Sequence, residues 1–254
     1  MSGEFGAKGR KIAAAALALA ACAGPAFAAG PESLREGLFH HGGPESRQFS
    51  APPIARYVSE DGDVFVLDRT QPQPLLKFEN SGEVWVLQPQ PAPRGDVIYK
   101  NDLGEPVLRA TRLGGVTVFT DQRPEGAAAA FAGAGAPIRL TPLGPQALLE
   151  RLAQASARAS RAARHLVPFD ADASPASSAL IADAAMVASE AIVRLARRAS
   201  GHNSLARLRQ VRLGEGRRAG VQFKQGALQI TVSPGEGLAG RPSSERIVSA
   251  AAGN

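Results

Sequence analysis

The stretch RYVSEDGDVFVLDRT, residues 56–70, reads as two short strands around a tight turn. Asp61 and Gly62 accept the positive backbone angles that a two-residue hairpin needs, and β-branched or aromatic residues flank them. In the second strand Val64, Val66 and Asp68 share one side while Phe65, Leu67 and Arg69 share the other. Both sides are partly apolar, so each needs cover, from a second sheet or from helices.

The same pattern repeats outward from this hairpin. PLLKFE, EVWVLQ, DVIYK, PVLRATR and GVTVFT come next along the chain, which makes seven such runs between positions 56 and 120. Turn clusters at 80–82, 101–104 and 114–115 separate several of them, and the near-regular spacing predicts an antiparallel meander. Residues 126–142, rich in Ala, Gly and Pro, read as a loosely ordered connection between the β-rich region at 56–125 and a helical segment.

Residues 143–201 carry a helical hairpin. Its first helix runs over 145–166 with Leu148, Leu152, Ala155, Ala159, Ala162 and Leu166 in one stripe. The second opens with Ser174 as N-cap and Pro175 at the first helical position, and ends near Gly201. A short join at 168–173 makes the pair antiparallel. Residues 205–233 return to strand pattern and are expected to pack with the earlier sheet or the helices, since so few strands are not stable alone. Residues 234–254 read as a polar tail. The predicted fold class is α+β: an antiparallel meander of about seven short strands, an α-helical hairpin and a returning C-terminal β-hairpin.

The amino-terminal segment addresses location. Lys8, Arg10 and Lys11 precede an apolar run over 12–21, the pattern of a signal peptide at residues 1–28. That run is half the roughly twenty residues a membrane-crossing helix needs, so no transmembrane helix is expected in the mature chain. Ala26-Phe27-Ala28 has the form of a secretory cleavage site, and Pro25 would break the helix ahead of it, which favours release after Ala28. Leu19-Ala20-Ala21-Cys22 also has the form of a lipobox, which would leave Cys22 acylated and the chain lipid-anchored. Cys22 is the single cysteine, so no disulfide forms within the chain. Residues 29–55 read as a flexible leader or linker.

Charge separates along the chain. The predicted signal holds three of the 29 basic and one of the 23 acidic residues, leaving a mildly cationic mature chain. Positions 56–125 are net acidic and positions 151–218 net basic, with every basic residue of the second set an Arg. Arg151, Arg158, Arg161, Arg164, Arg194, Arg197 and Arg198 are therefore candidates for an anion-binding helical face toward lipid headgroups or an acidic partner. The competing reading makes them the solvated sides of amphipathic helices, or partners of the acidic sheet. The interleaved aromatics of a single-strand nucleic-acid binder are absent, and nucleic acid is not an expected partner.

Candidate acid–base residues are Asp61, Asp63, Asp68, Asp96, Asp102 and Glu105, which occupy turn and strand-end positions where paired carboxylates do hydrolytic work. Asp is also the ordinary residue of turns, where its side chain bonds nearby backbone groups. No metal is expected, because His40 and His41 lie in the leader and His165 and His202 stand apart from them. No cofactor is expected either. Gly235–Gly240 matches G-x-G-x-x-G, but Arg241-Pro242 comes next, where a nucleotide fold needs a helix and a further parallel strand.

At YVSEDGDVFVLDRT, GDVIYKNDLGEPVLRATRLGGVTVF and GRPSSERI the chain resembles an uncharacterised, domain-of-unknown-function family of exported proteins from Gram-negative bacteria. The resemblance runs from Arg56 to Ile247 and implies export and a shared fold, with no activity or catalytic residue to carry over. The expected function is a non-enzymatic binding or structural module of the cell envelope with an unidentified envelope partner. The alternatives are a periplasmic hydrolase using the sheet carboxylates, and a lipid-anchored assembly factor of the outer membrane.

Overall fold

A computed structural model describes residues 51–198 and 201–253. The predicted signal peptide, Cys22, the predicted cleavage site, His40, His41 and most of the predicted leader lie outside the described residues.

Nine strands form the first sheet: β1 (Ile54–Ser59), β2 (Val64–Asp68), β3 (Leu75–Phe78), β4 (Val84–Val86), β5 (Gln88–Pro91), β6 (Val97–Lys100), β7 (Pro106–Ala110), β8 (Val116–Thr120) and β9 (Arg123–Ala134). Every pairing is antiparallel. The order is β4-β3-β2-β1-β9-β8-β7-β6-β5, and its two ends are joined in sequence by Leu87 alone. β4 and β5 are thus two halves of one extended segment, which pairs with β3 through its first half and with β6 through its second. The meander closes on itself as an up-and-down barrel.

The inner face explains why closure works. Tyr57, Phe65, Leu67, Leu76, Leu87, Tyr99, Leu108, Val118 and Ala127 belong to one buried cluster drawn from around the ring. A barrel of this size has an interior just wide enough for side chains to fill. Tyr57 stacks on Phe65 with ring centroids 5.4 Å apart, anchoring the β1–β2 pair. The second apolar face of residues 63–69 also finds cover: Val66, Leu75, Val84 and Val86 pack under Ile138, Leu140 and Leu238.

The strand count exceeds the seven expected, for two reasons. The segment around EVWVLQ extends to Pro91 and changes neighbours at Leu87. In addition, the first half of the 126–142 connection is strand, because β9 runs to Ala134. Alanine is a weak strand former, but β9 is sandwiched, pairing with β8 as Val116↔Ala129 and with β1 as Tyr57↔Phe131. Tertiary pairing supplies what local propensity does not.

Four helices come after the barrel among the described residues: α1 (Pro145–Ala163), α2 (Ser178–Arg197), α3 (Gly201–Arg207) and α4 (Ser244–Ala252). They pack with a second sheet of β10 (Phe169–Ala171), β11 (Gln210–Glu215), β12 (Gly220–Lys224) and β13 (Ala227–Val232), in the order β10-β11-β13-β12. β10, β11 and β13 are parallel, while β12 and β13 form the C-terminal hairpin. The returning strands therefore join the helices in a layer of their own rather than extending the barrel. The 168–173 join supplies β10, which a three-residue strand gives no periodicity to reveal. α2 is the central element, with Ile181, Ala185, Ala188 and Ile192 at 2% exposure or less.

Two further readings change. The second helix starts at Ser178 rather than at Pro175, because the Ser177 hydroxyl donates to Glu215 Oε1 at 2.5 Å and the Ser178 hydroxyl donates to the carbonyl of Leu143 at 2.8 Å. These contacts hold residues 174–177 in a turn. The 234–254 tail is folded: a 3-10 turn over Pro234–Gly240 leads into α4, and Leu238, Ile247 and Val248 are buried. Its glycines serve that turn. A Cβ at Gly240 would lie 1.9 Å from the carbonyl oxygen of Ser233, which it approaches to accept a hydrogen bond from the Ser233 N–H at 2.7 Å.

The barrel has two chemically different ends. Loops 60–63, 79–83, 101–105 and 121–122 stand at the end that meets the helices, and they carry Asp61, Asp63, Glu83, Asp102, Glu105 and Asp121. Loops 69–74, 92–96 and 111–115 stand at the other end, with the entry to β1 and the exit from β9. That distal end carries Arg69, Arg94, Arg109 and Arg112 around Asp68 and Asp96. No described helix is long and apolar enough to cross a membrane.

Candidate functional site

Residues 240–247, GRPSSERI, tie the barrel mouth to the helical layer. Ser243 is the N-cap of α4, its hydroxyl accepting from the Arg246 N–H. The same hydroxyl donates to Asp102 Oδ1 at 2.5 Å, and the Ser243 N–H donates to Asp102 Oδ2 at 3.1 Å. One residue on, the Ser244 N–H donates to Glu83 Oε1 at 2.9 Å. An N-terminal turn that would otherwise leave bare N–H groups is thus satisfied by two barrel carboxylates.

Arg241 is the centre of this junction, its side chain 1% exposed. It donates to Asp183 of α2 through Nε, and to the Val84 carbonyl of β4 through Nη2 at 2.8 Å, with Glu83 Oε1 3.9 Å from Nη1. A guanidinium is taken out of water here only because barrel and helix each supply an acceptor. Burial raises the Glu83 carboxyl above its ordinary range, against the opposing charge of Arg241 and the hydrogen bonds of Ser244. Arg194 makes a second tie: Nη1 donates to Ser244 Oγ at 2.9 Å, and Nη2 reaches Glu245 and, at 3.0 Å, Asp121 of the barrel.

Beside this junction the barrel mouth opens as a cleft of about 860 Å³. Phe78, Trp85, Val107 and Phe119 give it apolar walls, and Asp63, Glu83, Glu105, Asp121, Glu190 and Glu245 line it with carboxylates; Arg194 is the one cation among its lining residues. A second hollow of about 330 Å³ lies along β4 and shares Trp85 and Asn101 with the first. Asn101 is 2% exposed and shapes the rim: its Oδ1 accepts from the Leu103 and Glu105 N–H groups, and its Nδ2 donates to Glu105 Oε2 at 2.9 Å.

The six carboxylates singled out in the sequence are dispersed. Asp63 and Glu105 share the large cleft and Asp102 lines the smaller one. Asp61 pairs with Arg123 at 2.7 Å on the outside of the same end. Asp68 and Asp96 are at the far end of the barrel and each holds loops together. For Asp68, burial pushes the carboxyl up, but the Thr70 hydroxyl, the N–H groups of Ile138 and Thr70, and the charge of Arg139 outweigh it and hold it below its ordinary value. The Arg109 guanidinium holds Asp96 low, against burial, and the Arg112 N–H adds to it.

The seven arginines divide as well. Arg158 pairs with Glu190 between α1 and α2, Arg194 belongs to the junction, and Arg198 lies 3.7 Å from Glu245. Arg151, Arg161, Arg164 and Arg197 are exposed, with no carboxylate within ion-pair distance among the described residues. Among the described residues no group of three His, Cys, Asp or Glu side chains is placed to hold a metal.

Arg241, Glu83, Asn101 and Trp85 were not singled out by sequence reasoning. The readable signal was Ser243 before an acidic first turn at Glu245, with Ile247, Val248 and Ala251 at helical spacing. It marks a short helix; the partners in the barrel, far away in sequence, carry no local sign.

Fold and site together define a class: a closed meander barrel whose mouth is capped and pinned by a mixed helical layer, with a preformed cleft at the join. The chain belongs to the family described as a domain of unknown function (DUF4908), which it matches over residues 33–251. No curated protein and no solved structure matches it.

Proposed function

We propose that this chain is an exported, non-enzymatic binding module of the Gram-negative cell envelope, with its ligand site in the cleft at the barrel mouth. Export rests on the signal-peptide pattern of residues 1–28, with release after Ala28 ahead of anchoring at Cys22. The observation that carries the binding site is the cleft itself, of about 860 Å³ and lined by Phe78, Trp85 and Phe119. Mouths of β-barrels are favoured ligand sites, and a volume of this order accepts a small molecule or a short peptide segment.

The chemistry of the lining narrows the ligand. Glu83, Glu190 and Glu245 are committed to Arg241, Arg158 and Arg194. Asp63 and Glu105 accept only from the neutral amides of Asn80 and Asn101 among the side chains around them, so their charge is not cancelled. Asp121 keeps 83% of its side chain exposed despite its contact with Arg194. A ligand with an amine and an apolar face fits this wall, the amine against the carboxylates and the apolar face on the rings.

Trp85 is the only tryptophan in the chain, so its fluorescence reports the cleft directly. Titration with spermidine and with a lysine tripeptide should shift Trp85 emission saturably, and Asp63→Asn with Glu105→Gln should weaken the response about tenfold or more. Citrate serves as the anionic control. No saturable change with the amines, or an equal one with citrate, overturns the reading.

A hydrolase reading draws on Asp63, Glu83 and Glu105 lining one cleft. Binding is preferred because each of these carboxylates already accepts a hydrogen bond that shapes the rim or the junction. Intact mass of the mature amino terminus from a bacterial host separates release after Ala28 from acylation at Cys22.

A further inference from the structure

We propose that the distal end of the barrel, opposite the cleft, docks on an anionic lipid bilayer through the β7–β8 hairpin tip. Leu113 stands at that tip with 93% of its surface exposed, more than any other large apolar residue described. Its neighbour Arg112 and, on the adjoining β5–β6 loop, Arg94 are both exposed. An apolar side chain at the tip of a tight turn, flanked by guanidinium groups, has little reason to stand in water. It suits an interface where the tip enters the acyl boundary and the cations stay among phosphates.

Asp96 makes the two loops one surface. Its Oδ1 accepts from the Arg112 N–H at 3.3 Å and its Oδ2 from Arg109 Nε at 2.9 Å, so the β5–β6 loop is stitched to the β7–β8 hairpin. The Asp96 carboxylate pairs with the Arg109 guanidinium and feels the charge of Arg94, so one carboxylate stands against the charges of Arg94, Arg109 and Arg112 on these two loops. The backbone fixes the presentation: Arg94 holds φ at 64° inside the turn, while Gly114 takes φ at 90° and allows the tight tip beside Leu113.

The exposed apolar tip at Leu113 favours a membrane over another anionic surface, and the chain enters the barrel at this same end. Arg69 Nη2 donates to the carbonyls of Ala51 and Pro52 at 2.9 and 2.8 Å, which fixes the entry of the chain at this same end. Residue 51 thus enters the barrel at the end that also carries Arg94 and Leu113. A bilayer met at this end leaves the cleft, at the opposite end of the barrel, facing away from it. The surface itself needs no acyl group to bind.

The test uses the chain beginning at Ala29, which keeps every described residue and lacks the apolar run. It should co-sediment with vesicles of phosphatidylglycerol and phosphatidylcholine, weaken steeply as salt rises, and bind far less to phosphatidylcholine alone. Leu113→Asp, and separately Arg94→Glu with Arg112→Glu, should each reduce partitioning about tenfold or more. Unchanged thermal melting would show that these exposed variants fold normally. Failure of the wild-type chain to bind anionic vesicles, or binding by the variants equal to wild type, overturns the proposal. Neither outcome bears on Trp85, so this proposal and the cleft reading fail independently.

Discussion

Arg241 shows what a single buried charge does in this molecule. Its guanidinium satisfies Asp183 on α2, the Val84 carbonyl on β4 and, at longer range, Glu83. Removing it leaves two carboxylates without their shared counter-charge, which costs about 3–5 kcal/mol where such pairs have been broken. Arg241→Ala should lower the melting temperature by roughly 10 °C or more for a chain of this size. Arg241→Met with Glu83→Gln should recover part of that loss, because fewer charges are then stranded; differential scanning calorimetry of the two variants measures it. Asp68 gives a pH-dependent counterpart. Its carboxyl titrates below its ordinary value of 3.8 in the folded chain, so it contributes stability above that pH and loses it as pH falls through the depressed value. Asp68→Asn should therefore narrow the difference between urea midpoints at pH 7 and pH 3, and an unchanged difference would contradict the assignment. The sequence pointed to Asp68 as a candidate acid or base. Only the fold shows that Ile138, seventy residues away, uses it as an acceptor.

Elements were legible in proportion to how local their causes are. The alternation in residues 63–69 and the Asp61-Gly62 turn are local, and β1, β2 and their hairpin follow from them. Leu152, Ala155 and Ala159 of the predicted stripe are equally local and form the buried side of α1, whereas the helix ends at Ala163 and Leu166, past it, is 77% exposed. β9 reads as a connection because an Ala- and Gly-rich run has no strand propensity of its own. Its ladder comes from β1 and β8, which a one-dimensional reading cannot see. α4 lies between these extremes: its N-cap serine was visible, its docking was not. Ser243→Ala removes the cap and the Asp102 bond together, so a loss of about 1–2 kcal/mol is expected, measured as a shift in the urea midpoint. The effect should extend to the cleft. Trp85 emission in the free variant should move toward that of a wetter indole, since Ser243 and Trp85 line the same small hollow.

At the scale of the whole molecule, closure of the meander and separation of charge are one design. A sheet apolar on both faces needs an interior and a cover; the ring supplies the first, and Ile138, Leu140 and Leu238 supply the second. Carboxylates at the capped end and guanidinium groups at the other give the barrel, in our proposals, a binding mouth and a membrane foot. The acidic–basic asymmetry was readable along the sequence, but as sheet against helices. Folding redistributes it: Arg158 and Arg194 pair with Glu190, Glu245 and Asp121, and the exposed cations Arg94 and Arg112 gather at the distal end of the barrel. Binding of an amine-bearing ligand at the mouth is the central claim. Titration of the wild-type chain with spermidine, followed by Trp85 emission, tests it most directly. The expected result is a saturable shift that Asp63→Asn with Glu105→Gln weakens about tenfold; a flat titration, or one identical in the variant, would contradict it.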